Sequence, residues 1–367
     1  MKLLVDLSGC DMRYSSIAIY SLRILSGFVD NGVKDVKVLC NTNILKDVRE
    51  LCPEYDIIPI EMTRKISPIN AVKGYFRWRK VVKNIDYDVI YLPHPFPPYH
   101  CIYRKGKIVT TILDIEGLRA YHGLKLMIFR YVYPFVIKHS NRLTTISAFV
   151  KDDVLKEYPF VDGNKIQPVH CSVVVGTPQV NISPLEDKYL LYVSSFLKHK
   201  NIITLVKAFN ILKDKIPHKL VLIGRVNDYW KGNVEPYIIE NRLRERIVHL
   251  ATGVTDDELA RWYKYADVFV HPSYMEGFGY PPVEAAILGT PVITTKETSL
   301  EEVTMGLLNY YEPAMDEQAL ADKIFDILSN KPSKEKLMEI SEVYQKEYNY
   351  KKIAQELYEE LLITTEN

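Results

Sequence analysis

The stretch EGFGYPPVEAAILG, residues 276–289, places a glutamate on each side of a glycine-rich turn that leads into a helix. Gly277 and Gly279 allow backbone angles that other residues avoid, and the proline pair that follows suits the first turn of a helix. Glu276 therefore belongs to a loop, whereas Glu284 belongs to the opening turns of the helix. Backbone amides and the positive end of the helix dipole lie between the two glutamates, and both favour the binding of an anion. An ordinary strand–loop–helix turn with solvated glutamates is the alternative that these residues alone leave open.

Short apolar segments that alternate with helical ones extend through both halves of the chain. KLLVDLSG at residue 2 and KYLLYVSS at residue 188 begin the two series in the same way. The segments that follow are VKVLC, DVIYLP, KIVTTILDI and RLTTIS, and then HKLVLIG, RIVHLATG, ADVFVHPS and TPVITT. Strands separated by helices predict parallel sheets with helices on both faces. We therefore expect an α/β protein with two doubly wound, Rossmann-like domains facing a cleft.

Changes in this pattern set the expected domain boundaries. The segment VVVGTPQVNISPLED is rich in turn residues and lacks periodicity, which is typical of a linker. Near the end of the chain, Ile353, Leu357 and Leu361 recur at helical spacing and predict an amphipathic helix. The expected parts are a first domain over 1–172, a linker over 173–187, a second domain over 188–345 and a C-terminal helix over 346–367.

Length and composition agree with a two-domain globular protein. A chain of 367 residues is longer than one that folds around a single hydrophobic core. Its contents of 25% charged and 47% hydrophobic residues are typical of soluble proteins. A net charge of +1 gives no reason to expect a nucleic-acid partner. The five scattered cysteines argue against a disulfide framework and favour a reducing compartment. Because neither a signal-like segment before Asp6 nor a bilayer-spanning run is evident, we expect a cytoplasmic protein.

Polar and basic residues follow several strands of the second half. SSFLKHKN (194–201) follows its first strand, and IGR (223–225) follows the next. ATGVTDDEL (251–259) contains a tight turn before Thr255, which with Glu258 forms a predicted capping box at a helix start. The carboxyl ends of parallel strands meet at one edge of a sheet, where ligands bind. Basic groups, amides and two carboxylates at that edge suit a nucleoside diphosphate that carries a group rich in hydroxyls.

The run from residue 190 to about 303 resembles the retaining glycosyltransferases of family 4, which have the GT-B fold. The segments that carry the resemblance are LLYVSSFLKHKNI, LVLIGR, IVHLATGVTDDELARWYKYADVFVHPS, EGFGYPPVEAAILGTPVITT and TSLEEV. Two glutamates separated by seven residues are that family's signature. TTILDIEGLR and LTTISAFVKDDV are similar, more loosely, to its acceptor-domain strands. Within the family, the run from TGVTDDEL to TSLEEV is most similar to enzymes that extend bacterial surface polysaccharides.

The resemblance implies a role for each matched residue. Glu276 and Lys200 are the expected catalytic residues: Glu276 would face the donor sugar, and Lys200 would neutralise the departing diphosphate. Glu284 would accept hydrogen bonds from the ribose hydroxyls. The other expected donor contacts are Gly277, Phe278 and Gly279 at the sugar and diphosphate, Arg225, Gly253 and Val254 at the base, and Ser194, Ser195 and His199 beside them.

The implied activity is transfer of a hexose (EC 2.4) from a nucleoside-diphosphate sugar, the donor substrate, to a saccharide acceptor that we expect to be lipid-linked. No cofactor and no metal site are expected. Transfer with retention of the anomeric configuration would proceed by one of two routes. One is double displacement, for which Glu276 is the candidate nucleophile, and the other is front-face substitution, which we favour. The alternatives are a nucleotide-sugar epimerase or phosphorylase on the same fold, and a binding protein that has lost turnover.

Some family features differ in this chain. The first loop, SGCDMRYSSIAIYS, has a single glycine, and Leu113–Asp114 stands where many members have a histidine before the aspartate. His199 and Ser195 occupy positions at which arginine is common. These differences leave the nucleotide site intact and place the acceptor side, and catalysis, in question.

A basic segment, residues 64–83, is a candidate membrane contact. It contains no acid and interleaves aromatic residues with its charges, namely Arg64, Lys65, Lys73, Tyr75, Phe76, Arg77, Trp78, Arg79, Lys80 and Lys83. Such a helix can lie on an anionic bilayer, and the stretch 125–138 is a candidate for the same face. A solvated helix that covers the sheet is the alternative.

The D-x-D form of Asp86-Tyr87-Asp88 is a candidate metal site in another glycosyltransferase fold. Here it precedes the apolar segment VIYLP instead of following a strand. We therefore interpret it as the turn that enters this strand.

Overall fold

The computed structural model describes residues 1–10, 15–62, 67–120 and 122–366. These residues form two compact units, one made of Met1–Ser172 with Tyr348–Asn367 and the other made of Val173–Glu347. Each unit contains one parallel sheet whose strands alternate with helices along the chain. The predicted α/β class is confirmed.

The first unit contains a sheet of seven parallel strands within its described residues. The strands are β1 (Leu3–Leu7), β2 (Val36–Asn41), β3 (Asp56–Ile60), β4 (Val89–Leu92), β5 (Lys107–Ile112), β6 (Arg142–Thr145) and β7 (Ile166–Pro168). They lie in the order β3-β2-β1-β4-β5-β6-β7. The helices that connect them are α1 (Ser16–Asp30), α2 (Leu45–Leu51), α3 (Pro68–Val82), α4 (Tyr99–Ile102), α5 (Gly117–Ala120), α6 (Gly123–His139) and α7 (Ala148–Glu157).

The second unit contains six parallel strands in the order β10-β9-β8-β11-β12-β13. The strands are β8 (Tyr189–Val193), β9 (Lys219–Ile223), β10 (Ile247–Leu250), β11 (Val268–His271), β12 (Val292–Thr294) and β13 (Asn309–Tyr310). Its helices are α8 (Ile202–Leu212), α9 (Glu235–Glu240), α10 (Asp256–Tyr265), α11 (Tyr280–Ile287), α12 (Leu300–Val303), α13 (Glu317–Ser329) and α14 (Lys334–Glu347). The predicted capping box forms at the start of α10, where Thr255 and Glu258 exchange hydrogen bonds.

The central strands are nearly continuous apolar runs because both of their faces are covered. In the second unit, buried side chains of β8 and β11 such as Leu190 and Val270 join Phe209 of α8 and Ile324 of α13 in one core. This packing leaves the polar residues of the unit to the loops at the strand ends.

The order of strands reverses once in each sheet. β1 lies between β2 and β4, and β8 lies between β9 and β11. The chain leaves β1 and β4 toward opposite sides of the first sheet, and it leaves β8 and β11 toward opposite sides of the second. The carboxyl ends of the two strands in each pair therefore border a crevice, where ligands usually bind. In the second unit this crevice lies between the loops that follow β8 and β11.

The C-terminal helix, α15 (Tyr350–Glu366), belongs to the first unit and packs along α1. The residues predicted for its apolar face, Ile353, Leu357 and Leu361, are all buried. The two helices approach closely at Gly27, where an added Cβ would lie 2.3 Å from the Cβ of Ala354. Glu360 of α15 is also buried and forms an ion pair with Arg142 of β6.

Two details differ from what the sequence patterns indicated. Trp78, counted among the surface aromatics of residues 64–83, is buried, and its indole N–H donates a hydrogen bond to Asp6 (2.7 Å). The edge strands β3, β7 and β13 were not recognised. Asp56 and Pro59 interrupt the apolar run of β3, and β7 and β13 are only three and two residues long. Arg64 and Lys65 of the basic segment, and residues 11–14 of the first loop, lie outside the described residues.

Candidate active site

The loop that follows β11 turns sharply into α11, and glycine makes that turn possible. Gly279 has φ +94°, which a side chain would strain, and a Cβ there would lie 2.7 Å from Cδ2 of Leu300. Prolines occupy the first turn of α11, as the sequence predicted. Gly289, just past the end of this helix, also has a positive φ of 78°. The backbone of residues 276–289 thus follows the local rules of its sequence.

Lys200 follows β8, across the crevice from this loop. It ends a 3₁₀ turn, and the next residue, Asn201, is buried in the left-handed conformation with φ 56°. The side-chain amide of Asn201 donates hydrogen bonds to the carbonyls of Pro272 (3.0 Å) and Ala314 (2.8 Å). The carbonyl of His199 accepts a hydrogen bond from the hydroxyl of Ser273 (3.1 Å). These contacts join the loops after β8 and β11 at the switch point of the sheet.

Lys200 and Glu276 form a buried ion pair at this point. The ammonium group of Lys200 lies 2.7 Å from each carboxylate oxygen of Glu276, whose side chain is 9% exposed. Nε2 of His271, the last residue of β11, donates a hydrogen bond to Oε1 of Glu276 (2.8 Å). Burial acts to raise the pKa of Glu276, but Lys200 and His271 outweigh it and hold that pKa well below its usual range. Glu276 is therefore ionised, and it is not a solvated loop residue.

The backbone of Glu276 is also held in place. Its N–H donates a hydrogen bond to the hydroxyl of Thr298 (3.0 Å), and its carbonyl accepts one from the hydroxyl of Ser299 (2.9 Å). Ser299 also lies within hydrogen-bond distance of the carbonyl of Phe278 (3.2 Å), whose ring is buried. The turn that includes Gly277 therefore presents a defined backbone.

Glu284 is held separately, on α11. The hydroxyl of Tyr263 in α10 donates a hydrogen bond to Oε2 of Glu284 (3.1 Å). Burial, followed by the nearby Glu284 carboxylate, raises the pKa of Tyr263 well above its ordinary value, so the phenol keeps its proton and stays a donor. The two glutamates of the opening stretch thus have different partners.

The other predicted donor contacts follow β8, β9 and β10 along the same edge. Ser195, Arg225 and Gly253 are exposed, whereas Ser194, His199 and Val254 are partly buried. Burial and then the charge of Lys200 lower the pKa of His199 to about 4. His199 is therefore neutral near pH 7, and it does not add to the basic charge that the run of Lys198, His199 and Lys200 indicated.

Sequence reasoning missed two contributors to this site. Tyr263 was not singled out; its ring is buried, and its hydroxyl holds Glu284. His271 was not singled out, although its place at the end of β11 and five residues before Glu276 was a usable signal.

The D-x-D sequence lies elsewhere, at the amino end of β4 in the first unit. The side chain of Asp86 pairs with the ammonium group of Lys2 (2.5 Å), and Asp88 accepts a hydrogen bond from the backbone N–H of Lys2 (2.7 Å). The interpretation as a strand-entry turn is confirmed. Within residues 1–10, 15–62, 67–120 and 122–366, no group of three His, Cys, Asp or Glu side chains could hold a metal ion. No helix in that part of the chain is long and apolar enough to cross a bilayer.

The two doubly wound parallel sheets define the class of the fold, which is the GT-B type of glycosyltransferases, as predicted. Sucrose-phosphate synthase from Thermosynechococcus elongatus shares it. The two structures superimpose with a TM-score of 0.75 at 19% sequence identity, over 99% of this chain and 100% of that one.

Comparison of sequences gives a more specific result for the second unit. Residues 177–343 match the family described as glycosyl transferases group 1. The chain is 35% identical over 224 residues to O-antigen chain mannosyltransferase B of Escherichia coli, covering 56% of this chain and 58% of that one. It is 29% identical over 185 residues to O-antigen chain mannosyltransferase RfbU of Salmonella typhimurium, covering 50% of each chain. The matches thus span between half and 58% of these relatives, and they support a GT-B glycosyltransferase.

Proposed function

We propose that the protein is a retaining glycosyltransferase of family 4 that transfers a hexose from a nucleoside-diphosphate sugar to a saccharide during polysaccharide assembly. The buried pair of Lys200 and Glu276 at the switch point of the second sheet carries this proposal. It brings together residues 76 positions apart, within the region that matches glycosyl transferases group 1. A structural turn with solvated glutamates would not need such a pair.

The donor occupies the carboxyl edge of the second sheet. The diphosphate lies near Lys200, Ser194, Ser195 and His199, and the sugar lies near Glu276 and the turn of Gly277, Phe278 and Gly279. The ribose hydroxyls bind Glu284, whose carboxylate Tyr263 orients, and the base lies beside Arg225, Gly253 and Val254. Lys200 then neutralises the charge that develops on the departing phosphate, which in a desolvated site is a large contribution.

The surroundings of Glu276 favour front-face substitution over double displacement. Both of its carboxylate oxygens bond Lys200, and one also bonds His271, which lowers the availability of its lone pairs for attack on carbon. In the front-face route, the acceptor hydroxyl oxygen bonds the anomeric carbon on the face from which the phosphate leaves. The carbon–phosphate-oxygen bond breaks, and that phosphate oxygen takes the hydroxyl proton.

The acceptor is a growing, lipid-linked saccharide. Both relatives compared above are named as O-antigen chain mannosyltransferases, so mannosyl donors are the first to test. The first unit binds the acceptor, and no metal is required because Lys200 and backbone amides take the charge of the diphosphate.

A surface of α3 supports contact with a membrane that carries such an acceptor. Ile69, Val72 and Phe76 are 68%, 56% and 60% exposed and lie at helical spacing on one face. Lys73 and Lys80 are exposed on the same face. Apolar residues flanked by lysines suit the interface of an anionic bilayer, and they support our proposal that the enzyme works at the inner face of the cytoplasmic membrane.

Binding and turnover together test the proposal. Thermal unfolding is measured with UDP, GDP and dTDP, since a ligand at about a hundred times its dissociation constant stabilises by about 2.7 kcal/mol. Nucleotide sugars built on the diphosphate that stabilises the protein most are then assayed for transfer and hydrolysis. Binding without either reaction would favour an inactive nucleotide-sugar-binding protein. Donor isomerisation would indicate an epimerase, and an absorbance band of pyridoxal would indicate a phosphorylase.

A further inference from the structure

His271 makes one directed polar contact from an otherwise apolar position. The residue is 1% exposed, and its ring lies nearly parallel to that of Phe269, at an interplanar angle of 20°. Its Nε2 lies 2.8 Å from Oε1 of Glu276. Its Nδ1 is buried and has no hydrogen-bond partner among the described residues.

The hydrogen bond from His271 makes the two oxygens of the Glu276 carboxylate different from each other. Lys200 bonds both oxygens of Glu276 at 2.7 Å and so does not distinguish them. His271 bonds Oε1 alone and therefore fixes the rotation of the carboxylate plane about the side-chain axis. A carboxylate that meets sugar hydroxyls must present its remaining lone pairs in one direction, since hydrogen bonds are directional.

We propose that His271 is a positioning residue, which orients the carboxylate of Glu276 toward the hydroxyls of the donor sugar. The inference rests on the proposed function, because it assigns His271 to the sugar part of the donor site and not to the nucleotide part. His271 acts through Glu276.

The test compares the affinity of a nucleoside diphosphate with that of its sugar. The probes are UDP with UDP-glucose, GDP with GDP-mannose, and dTDP with dTDP-glucose, and the pair that the wild type binds best is used. His271→Phe keeps a flat ring but removes the donor, so sugar-nucleotide affinity and kcat should fall about tenfold, with diphosphate affinity unchanged. His271→Gln, which keeps an N–H, should restore most of both. His218→Phe replaces another buried histidine of the same unit, next to Asp267, and should change neither.

A double variant separates orientation from general damage. If His271 acts only through Glu276, then His271→Phe added to Glu276→Ala should cause no further loss of sugar-nucleotide affinity. An additive loss, or a loss of diphosphate affinity, would overturn the inference, as would a His271→Phe protein that binds sugar nucleotide like the wild type. If His271→Phe does not fold, His271→Leu is measured instead, with the same expected outcomes. A wild type that binds none of the probes would instead refute the proposed function itself.

Discussion

Glu276 and Glu284 have the same side chain and different surroundings, so their replacement should have different effects. Glu284→Ala should weaken binding of the bare nucleoside diphosphate, because each charge-assisted hydrogen bond to ribose is worth about 1.5–3 kcal/mol. Glu276→Ala should leave that affinity nearly unchanged while transfer collapses, because in the proposed site Glu276 meets only the sugar. Calorimetry with the diphosphate, beside a transfer assay, measures both effects.

Glu240→Ala, at an exposed glutamate of the same unit, is the matched control and should change neither quantity. Equal losses of diphosphate affinity in both site variants, or full transfer activity in both, would contradict the assigned roles. The loop would then be an ordinary structural turn.

The pair of Lys200 and Glu276 should also contribute to stability in a pH-dependent way. The folded-state pKa of Glu276 lies below its ordinary value of 4.5, so the contribution is complete above that pH and is lost as the pH falls. Lys200→Met leaves the buried carboxylate without its counter-ion and should cost about 3–5 kcal/mol at pH 7. Urea unfolding at pH 7 and pH 4 should show this difference shrinking at the lower pH.

Lys231→Met, at an exposed lysine of the same unit, provides the comparison and should be nearly neutral at both pH values. A difference between wild type and Lys200→Met that grows as the pH falls would have the wrong sign for a depressed carboxylate pKa.

At the scale of elements, α3 provides a test of membrane binding. Arg77 is paired with Glu61, and Arg79 lies over the ring of Tyr103, so replacing either arginine would also remove a contact within the protein. The test variant therefore replaces Lys73, Lys80 and Lys83 with glutamate. The wild type should bind vesicles that contain anionic lipid at low salt, and this variant should be released, because each basic residue near the surface contributes about 1 kcal/mol. Vesicle sedimentation measures the bound fraction.

Two further variants separate charge from apolar insertion. Replacing Lys334, Lys336 and Lys346 of α14 with glutamate changes the net charge equally on another helix and should leave binding largely intact. Phe76→Ser should weaken binding with no change of charge. If the wild type never binds such vesicles, the membrane proposal fails.

The contact of α1 with α15 gives a second prediction about elements. Alanine is favoured over glycine inside a helix, yet Gly27→Ala would place its Cβ 2.3 Å from that of Ala354 and 2.6 Å from the carbonyl oxygen of Tyr350. We expect a net destabilisation of about 1–3 kcal/mol in urea unfolding, as for other overpacked positions. Ser26→Ala, one residue earlier in α1, should lie within about 0.5 kcal/mol of the wild type. A stabilised Gly27→Ala protein would show that the helices can separate without cost.

At the scale of the whole molecule, transfer should proceed without a divalent cation. A cation that bridges the diphosphate is unnecessary if Lys200 and the amides of the turn neutralise it. Activity should therefore be the same in excess chelator and in magnesium or manganese. Activity that is lost in chelator and restored by either ion would contradict this prediction.

Structural features that depend only on neighbouring residues could be predicted from the sequence. The strands β1, β8 and β11 are short apolar runs, and the turn at Gly279 requires a glycine whatever lies around it. The spacing of Glu276 and Glu284 follows from the length of one loop and one helical turn. The fold class could be predicted for this reason, whereas the roles expected of Glu276, Glu284 and Lys200 came from the resemblance to a family.

Contacts between distant segments were not readable in the same way. Lys200 and Glu276 are 76 residues apart, and only the order β9-β8-β11 brings the loops that carry them to one crevice. Trp78 resembles an ordinary helix residue until packing places the carboxylate of Asp6 beside it. Local sequence thus determined where the chain turns and which residues could do chemistry. Tertiary structure decided which charges meet, because burial and partners depend on segments that only the folded sheet makes neighbours.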